Sequence, residues 1–169
     1  LVDMETSLYY NGCKKLFIDS GMPQAMMTEP YMYEGKMIVE QTFPIIIDGE
    51  FKGVAGVDRA LSDIVNFLKE IRDRSKVDVF LVSRKGKFVA STTEEAFKND
   101  NSKQQLRTKS IEITEYDELF GEFYRNNEKP SFRLAVDPLD NKRYYYASAP
   151  VLTGQWMVII RKSEASVVA

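Results

Sequence analysis

Asp58 is the carboxylate whose position in the sequence most calls for a chemical role. It ends the apolar stretch GVAGV at 53–57, and a charge at the end of an apolar strand needs a partner. In a pocket, Asp58 would accept charge-assisted hydrogen bonds from a ligand amine. The alternatives are that Asp58 caps the helix predicted to begin near Leu61, or that it simply ends the strand. Gly53 and Gly56 do not form a phosphate loop, because the spacings of the known glycine-rich phosphate motifs are absent.

Four tyrosines are further candidates for the same site. Tyr31 and Tyr33 are two residues apart in a predicted strand, so their side chains share one face. Tyr9 and Tyr10 belong to a predicted helix that could approach that face. Tyrosines around a cavity supply apolar walls and hydroxyl groups, the usual composition of a small-ligand site. The same four rings could instead form an aromatic core.

Catalytic and metal chemistry find little support in the composition. The sequence contains no histidine, which removes the commonest general base and the commonest transition-metal ligand. Cys13 is the only cysteine, and nothing near it in the sequence would activate its thiol. Asp137, Asp140 and Asn141 lack the spacing of a calcium-binding loop, so we expect a solvated turn there. We therefore predict a protein that is not an enzyme and has no cofactor and no metal.

Length and charge limit the remaining classes. The chain has 169 residues and a formal net charge of −2, which suits one domain or two small ones. A near-neutral charge balance lacks the basic surface of a nucleic-acid-binding protein. No apolar run reaches the length of about 18 residues that a membrane-spanning helix needs.

The patterns of apolar and turn residues predict an α+β protein. Apolar residues recur at helical spacing in three segments, 4–20, 61–72 and 114–123, and a short helix is expected from Thr92 or Thr93 to Phe97. Asp48-Gly49 predicts a tight hairpin turn, whereas Met26 and Met27 are expected in a loop. The predicted strands are 31–33, 36–47, 51–58, 77–82, 88–91, 131–136, 143–149 and 156–161.

The chain repeats one order of features. Residues 35–60 and 141–161 both read strand, proline, turn with glycine, aromatic residue, strand. This pattern indicates two copies of one module joined by the helix at 61–72. The first copy has only its three closing strands, so we expect its opening strands upstream of Leu1 or another element in their place. A single eight-stranded domain is the alternative.

The motifs TEPY at 28–31 and GVAGVD at 53–58 resemble the membrane-distal half of a double Cache sensor domain. Residues 79–87 are similar to the opening of the second, PAS-like module of that family, and Pro150, Gly154 and Trp156 are similar to its close. The resemblance implies PAS-like modules with antiparallel five-stranded sheets flanked by helices, the first one incomplete. Residues 1–60 would be the C-terminal part of the membrane-distal module, 61–76 a connecting helix and linker, and 77–165 the membrane-proximal module.

The resemblance also implies a function. Cache domains are extracytoplasmic parts of membrane-anchored receptors, such as histidine kinases and chemoreceptors, that sense a small-molecule ligand and relay a conformational change to a transmembrane helix, in some cases as homodimers. The implied ligand-binding residues are Tyr9, Tyr10, Tyr31, Tyr33 and Asp58.

The ligand implied by the resemblance is an amine or a small polar metabolite. The amino-acid-binding subgroup of the family has an arginine where this chain has Ser7 and an aspartate where it has Tyr33. A free α-amino acid would therefore lack the arginine that holds its carboxylate. The alternative function is a protein-interaction or structural module that uses an exposed sheet edge.

Overall fold

A computed structural model describes residues 8–93 and 109–168, which form two compact units that divide between Leu61 and Ser62. Helices combine with antiparallel sheets in this structure, so the predicted α+β class is confirmed. No helix in the described ranges has the length and apolar character needed to cross a membrane.

The first unit contains one helix and four strands. They are α1 (Leu8–Ser20), β1 (Met26–Met27), β2 (Tyr31–Tyr33), β3 (Lys36–Ile47) and β4 (Glu50–Ala60). β4 pairs with β3 over nearly its whole length, and β1 and β2 pair with successive parts of β3. The prediction of a loop at Met26 and Met27 is wrong, because these residues pair with Thr42 and Gln41.

The turn between β3 and β4 has the predicted form. Asp48 and Gly49 both have positive φ angles, 53° and 78°, as a two-residue hairpin turn requires. Aspartate and glycine adopt this backbone region at less cost than other residue types. The turn sets the pairs Ile47–Glu50 and Ile46–Phe51, and a one-residue bulge at Lys52 then shifts the register so that Asp58 lies opposite Glu40.

One face of this sheet is covered by α1. Cys13 is buried there, and the rings of Tyr10 and Phe17 lie against Phe51 of β4. The alternate residues of β3 point the other way and include exposed apolar side chains at Phe43 and Ile45. No strand in the described residues pairs with the second edge of β4.

The second unit is built on a five-stranded antiparallel sheet. Its elements, with the helix that leads into it, are α2 (Leu61–Ser75), β5 (Asp78–Val82), β6 (Phe88–Ser91), α3 (Asp117–Arg125), β7 (Ser131–Val136), β8 (Arg143–Val151), β9 (Trp156–Ser163) and α4 (Glu164–Val168). The strand order is β6-β5-β9-β8-β7. The predicted five-stranded sheet is therefore confirmed.

Aromatic side chains form the core between this sheet and α3. Phe120 of α3 is fully buried and stacks on Tyr116 with 4.2 Å between ring centroids. Its ring also meets Phe80 of β5 edge-on at 4.9 Å. Burying a side chain of this size stabilises a fold by roughly 1.5–3 kcal/mol, so Phe120 anchors α3 to the sheet.

Several predicted boundaries differ from the structure. α2 continues through Ser75 and ends where Lys76 adopts a φ of 55°, so the polar residues before Lys76 extend the helix. The helix predicted at 114–123 begins only at Asp117, because a 3₁₀ turn at Ile111–Ile113 comes first. The residues after Ser163 form α4. The helix predicted near 92–97 falls mostly outside the described residues.

The closing strands of the two sheets share one arrangement. In the first unit, β3 lies between β2 and β4, as β8 lies between β7 and β9 in the second. In the second unit the free edge of β9 is taken by β5, the opening strand. β4 is the counterpart of β9, so its second edge is where an opening strand would pair.

Candidate ligand-binding site

Asp58 lies on β4, two residues before the strand ends at Ala60, and its side chain is exposed. The helix α2 begins at Leu61 directly after Ala60. A capping residue stands immediately before the first helical residue, so the alternative that Asp58 caps α2 is wrong. The register instead sets Asp58 directly opposite Glu40 of β3.

Glu40 brings a second carboxyl group to this point, and this one is buried. Only 9% of Glu40 is exposed. Its backbone is held by Thr28, whose hydroxyl oxygen accepts from the Glu40 N–H at 2.9 Å and whose own N–H donates to the Glu40 carbonyl at 3.0 Å. The side chains of Tyr31 and Asp58 are close enough to the Glu40 carboxyl to shift its pKa.

The surroundings of Glu40 favour its protonated form. Burial is the largest influence and raises the pKa of the carboxyl. The Tyr31 hydroxyl opposes this by donating to the carboxyl, while the charge of Asp58 and its hydrogen bond raise the pKa further. The net result is a pKa above the usual glutamate value.

Tyr31 is the tyrosine that the structure joins to this cluster. It pairs with Ile38, two residues from Glu40 on the same face of β3. Burial raises the pKa of its hydroxyl, and the hydrogen bond to Glu40 and the negative charges of Glu40 and Asp58 add to that effect. Tyr31 therefore stays protonated and acts as a hydrogen-bond donor.

The other predicted tyrosines occupy different surroundings. Tyr33 shares the face of Tyr31 on β2 but is 45% exposed. Tyr10 packs edge-on against Phe51 with 5.4 Å between centroids. Phe51 is seven residues from Asp58 on β4, about 23 Å along an extended strand. Tyr9 is half-buried on α1. The structure thus joins Tyr31 and Asp58 with Glu40 and sets Tyr10 toward the other end of β4.

Glu40 is the residue that the sequence-based prediction of the site missed. A signal was present, because Glu40 alternates with Ile38 and Thr42 on what is the buried face of β3. A carboxyl in that register must either be neutral or have a partner. The partners, Tyr31 and Asp58, lie on other strands, so the pairing register was needed to find them.

A separate polar cluster is buried in the second unit around Asp137, which is fully buried. Its Oδ2 accepts from the hydroxyls of Tyr116 and Tyr146 at 2.8 and 2.7 Å and from Arg161 at 2.5 Å. Its Oδ1 accepts from the backbone N–H groups of Leu139 and Asp140 at 2.9 and 3.2 Å. The prediction of a solvated turn is therefore wrong for Asp137.

The charge of Asp137 is stabilised in this position. Burial would raise the pKa of its carboxyl, but the hydrogen bonds from Tyr146, the Leu139 amide and Tyr116, with the charge of Arg161, hold it below the usual value. Arg161 also bonds Asp78 at 2.9 Å and lies 4.2 Å from the ring centre of Tyr144. The partners within the fold already satisfy this cluster, so we do not assign it to a ligand.

Metal binding has no support in residues 8–93 and 109–168, where no group of three or more acidic, cysteine or histidine side chains is placed to hold an ion. In the second unit an open groove of about 400 Å³ lies between α3 and β7. Arg133 lines this groove and pairs with Glu122 of α3. We take the cluster of Tyr31, Glu40 and Asp58 as the candidate site, because it joins two predicted residues with a buried carboxyl group.

This chain is similar to several solved structures, whereas no family model and no curated protein matches it. Among solved structures, the extracellular domain of a proposed histidine kinase, mmHK1S-Z2, is 26% identical over 100% of this chain, with a TM-score of 0.68. The ligand-binding domain of the Pseudomonas fluorescens chemoreceptor CtaA, solved with L-leucine, is 19% identical over 98%, with a TM-score of 0.62.

A third solved structure is the ligand-binding domain of the Campylobacter jejuni chemoreceptor Tlp3 in complex with 4-methylisoleucine, 21% identical over 99% of this chain, with a TM-score of 0.59. The chain spans 59%, 62% and 56% of these three domains, respectively. Together they confirm the resemblance to Cache-type sensor domains and the prediction of an extracytoplasmic sensor fold.

Proposed function

We propose that this chain is the ligand-sensing part of a membrane-anchored signal transducer and that it binds a small amine or polar metabolite. The cluster of Tyr31, Glu40 and Asp58 carries the proposal. It combines one phenol donor with two carboxyl groups in a chain that has the fold of receptor sensor domains. Such a cluster suits the cationic end of a ligand, because charge-assisted hydrogen bonds are the strongest that a protein offers.

The ligands of the solved neighbours support the cationic part of this proposal. L-leucine and 4-methylisoleucine, bound to CtaA and Tlp3, both carry an ammonium group. In this chain Asp58 and Tyr31 supply groups that an ammonium can use. The carboxylate of an amino acid would be repelled by the same acidic pair, so an amine without a carboxylate fits better.

The relay to the membrane is the second part of the proposal. Asp58 is two residues from the end of β4, and α2 follows that strand directly. A ligand that binds one arrangement of β4 better than another shifts the population toward it. We infer that α2 transmits this difference to the second unit, and that the full receptor carries it to a transmembrane helix within a homodimer.

The module assignment belongs to the same proposal. Residues 1–60 would be the C-terminal part of a membrane-distal module, 61–76 a connecting helix and linker, and 77–165 the membrane-proximal module. The shared order of the closing strands in the two sheets supports this division, as does the free second edge of β4 in the described residues.

The first experiment is a thermal-shift screen of the chain against small amines, amino acids and organic acids. Any hit is then titrated by calorimetry into the chain without substitutions, called the parent chain below, and into the variants Asp58→Ala and Asp19→Ala. Asp19 is a matched control, because it is an exposed carboxylate in the same unit. A hydrogen bond to a charged group contributes about 1.5–3 kcal/mol, so Asp58→Ala should weaken a cationic ligand by roughly 10- to 100-fold.

Asp19→Ala should bind the same ligand with the affinity of the parent. Equal affinities for the parent and Asp58→Ala would refute the role of Asp58. A screen without any hit would count against small-molecule sensing itself.

One observation favours a second candidate function. The second edge of β4 has no partner strand in the described part of the chain, and free strand edges recruit strands from other proteins. In that case the β4 amides would become protected from hydrogen exchange as protein concentration rises, without any small molecule. Protection that depends on a ligand but not on concentration would reject this alternative.

A further inference from the structure

We infer that Glu40 and Asp58 act as one carboxyl pair that shares a proton when the site is empty and exchanges it for the ammonium group of a ligand. This inference rests on the proposed function and names the regulation and selectivity of that same site. It makes Glu40 a specificity-determining residue, because a second carboxyl favours ligands with net positive charge.

The shared proton follows from the positions of the two carboxyl groups. Glu40 and Asp58 are directly opposite each other on β3 and β4, where Cβ atoms are about 4.5–5.5 Å apart. Glu40 is buried, and burial disfavours the charged form of a carboxyl group. Two adjacent carboxyls also resist simultaneous ionisation.

One oxygen of the pair is left for a ligand. Glu40 Oε2 has no hydrogen-bond partner among the described residues, although Glu40 is 91% buried (9% exposed). Buried acceptors of this kind are uncommon and call for an explanation. A donor that arrived with a ligand would satisfy it. Asp58 is exposed beside it, so the pair offers a reachable carboxylate and a buried acceptor together.

The groups around Glu40 fit the exchange of a proton for a cation. From β2, Tyr31 donates to Glu40, and Tyr33 lies on the same face. From β4, Asp58 supplies negative charge. From α1, the buried group on the covered face is the Cys13 thiol, whose pKa is raised mainly by burial. Each of these neighbours is neutral or negative. A cation that replaces the proton is therefore attracted by the negative charge and is not repelled by any of them.

The exchange balances in charge. The protonated pair carries one negative charge and releases H⁺ as R–NH₃⁺ enters, which leaves two carboxylates beside one ammonium. Ligand affinity must then rise with pH, by up to about tenfold per pH unit, as long as the empty pair holds the proton. A ligand that also carries a carboxylate gains less, because the two carboxylates of the pair repel it.

Three related compounds test this inference: L-leucine, isopentylamine and 4-methylpentanoate. Isopentylamine has the ammonium group and side chain of L-leucine without its carboxylate, and 4-methylpentanoate has the carboxylate without the ammonium group. Calorimetry of each compound at about pH 5 and about pH 7, both above the ordinary glutamate pKa, uses the unsubstituted chain, Glu40→Gln and Asp19→Asn. Two buffers with different ionisation enthalpies report the protons released on binding.

We expect isopentylamine to bind best, more tightly at the higher pH and with release of a proton. Glu40→Gln should lose both the pH dependence and the proton release, since glutamine cannot share the proton, while Asp19→Asn keeps both. The inference is overturned if isopentylamine does not bind, or if Glu40→Gln keeps the pH dependence. If L-leucine or 4-methylpentanoate binds and isopentylamine does not, the inference is also overturned. The proposed sensor function would still stand in that case.

Discussion

Replacing Asp137 with alanine should destabilise the second unit more than any surface change in the chain. The substitution removes the acceptor of five hydrogen bonds, two from tyrosine hydroxyls, one from Arg161 and two from backbone amides. It also leaves Arg161, which is 4% exposed, without its buried counter-charge. Asp78, the remaining partner, is bonded only to the Nε of Arg161.

The expected cost can be estimated from the burial of the pair. Removing one member of a buried ion pair destabilises a protein by about 3–5 kcal/mol when the remaining charge is uncompensated. Because Asp78 still pairs with Arg161, we expect a cost near the lower end of this range. A typical domain has only about 5–15 kcal/mol of stability. Asp137→Ala should therefore lose a large part of the folding free energy. Asp137→Asn keeps one side-chain oxygen as an acceptor and should cost less.

Urea unfolding followed by the fluorescence of Trp156 is the appropriate assay. Trp156 is the single tryptophan and is 3% exposed on β9, so its signal reports the second unit. The exposed pair between Arg133 and Glu122 in the same unit provides the comparison. Glu122→Ala should change stability by less than about 1 kcal/mol, the range of surface ion pairs.

A double variant separates the ion pair from simple loss of packing. Arg161→Met combined with Asp137→Asn removes both charges, and apolar replacement of a whole buried pair is often neutral or stabilising. The double variant should thus be more stable than Asp137→Asn alone. The reasoning is refuted if Asp137→Ala costs no more than Glu122→Ala, or if adding Arg161→Met to Asp137→Asn lowers stability further.

Two further predictions concern pH and cysteine chemistry. Because the pKa of Asp137 is held below its usual value, its stabilising effect is fully present above about pH 4 and disappears as the pH falls through the lowered pKa. Urea midpoints should decline in acid for the parent, and a decline of the same size in Asp137→Asn would contradict this. Cys13 is 1% exposed and burial raises the pKa of its thiol, so a disulfide reagent should modify it far more slowly in the folded chain than in urea. Equal rates would mean that α1 does not stay packed on its sheet.

The sequence alone determined the elements whose signals are local. The Asp48-Gly49 turn follows from the preference of those two residue types for positive φ, and the structure has it where predicted. Alternation of apolar residues located β3, and helical spacing located α2. The matching order of proline, glycine and aromatic residues around Pro44 and Pro150 indicated two similar sets of strands, although the turns differ: two residues at Asp48-Gly49, but a 3₁₀ turn at Thr153–Gln155.

Boundaries that depend on contacts were harder to predict. Met26 and Met27 form a strand only because β3 offers them a free edge at Gln41 and Thr42, and two residues have no periodicity of their own. α3 begins later than predicted because the chain first makes a 3₁₀ turn at Ile111–Ile113. In both cases the deciding interaction comes from a partner that is distant in sequence or from packing against the sheet.

The charged groups show most clearly what only the tertiary structure decided. Asp58 could be singled out from the sequence because a lone carboxylate ends an apolar run. Its partner Glu40, and the burial of Asp137 against Arg161, could not, because each pair joins strands or turns that lie 18 and 24 residues apart in the chain. A carboxyl group has the same identity in the sequence whether it is solvated or buried. Only the register of the strands determines which neighbour shares its proton or balances its charge.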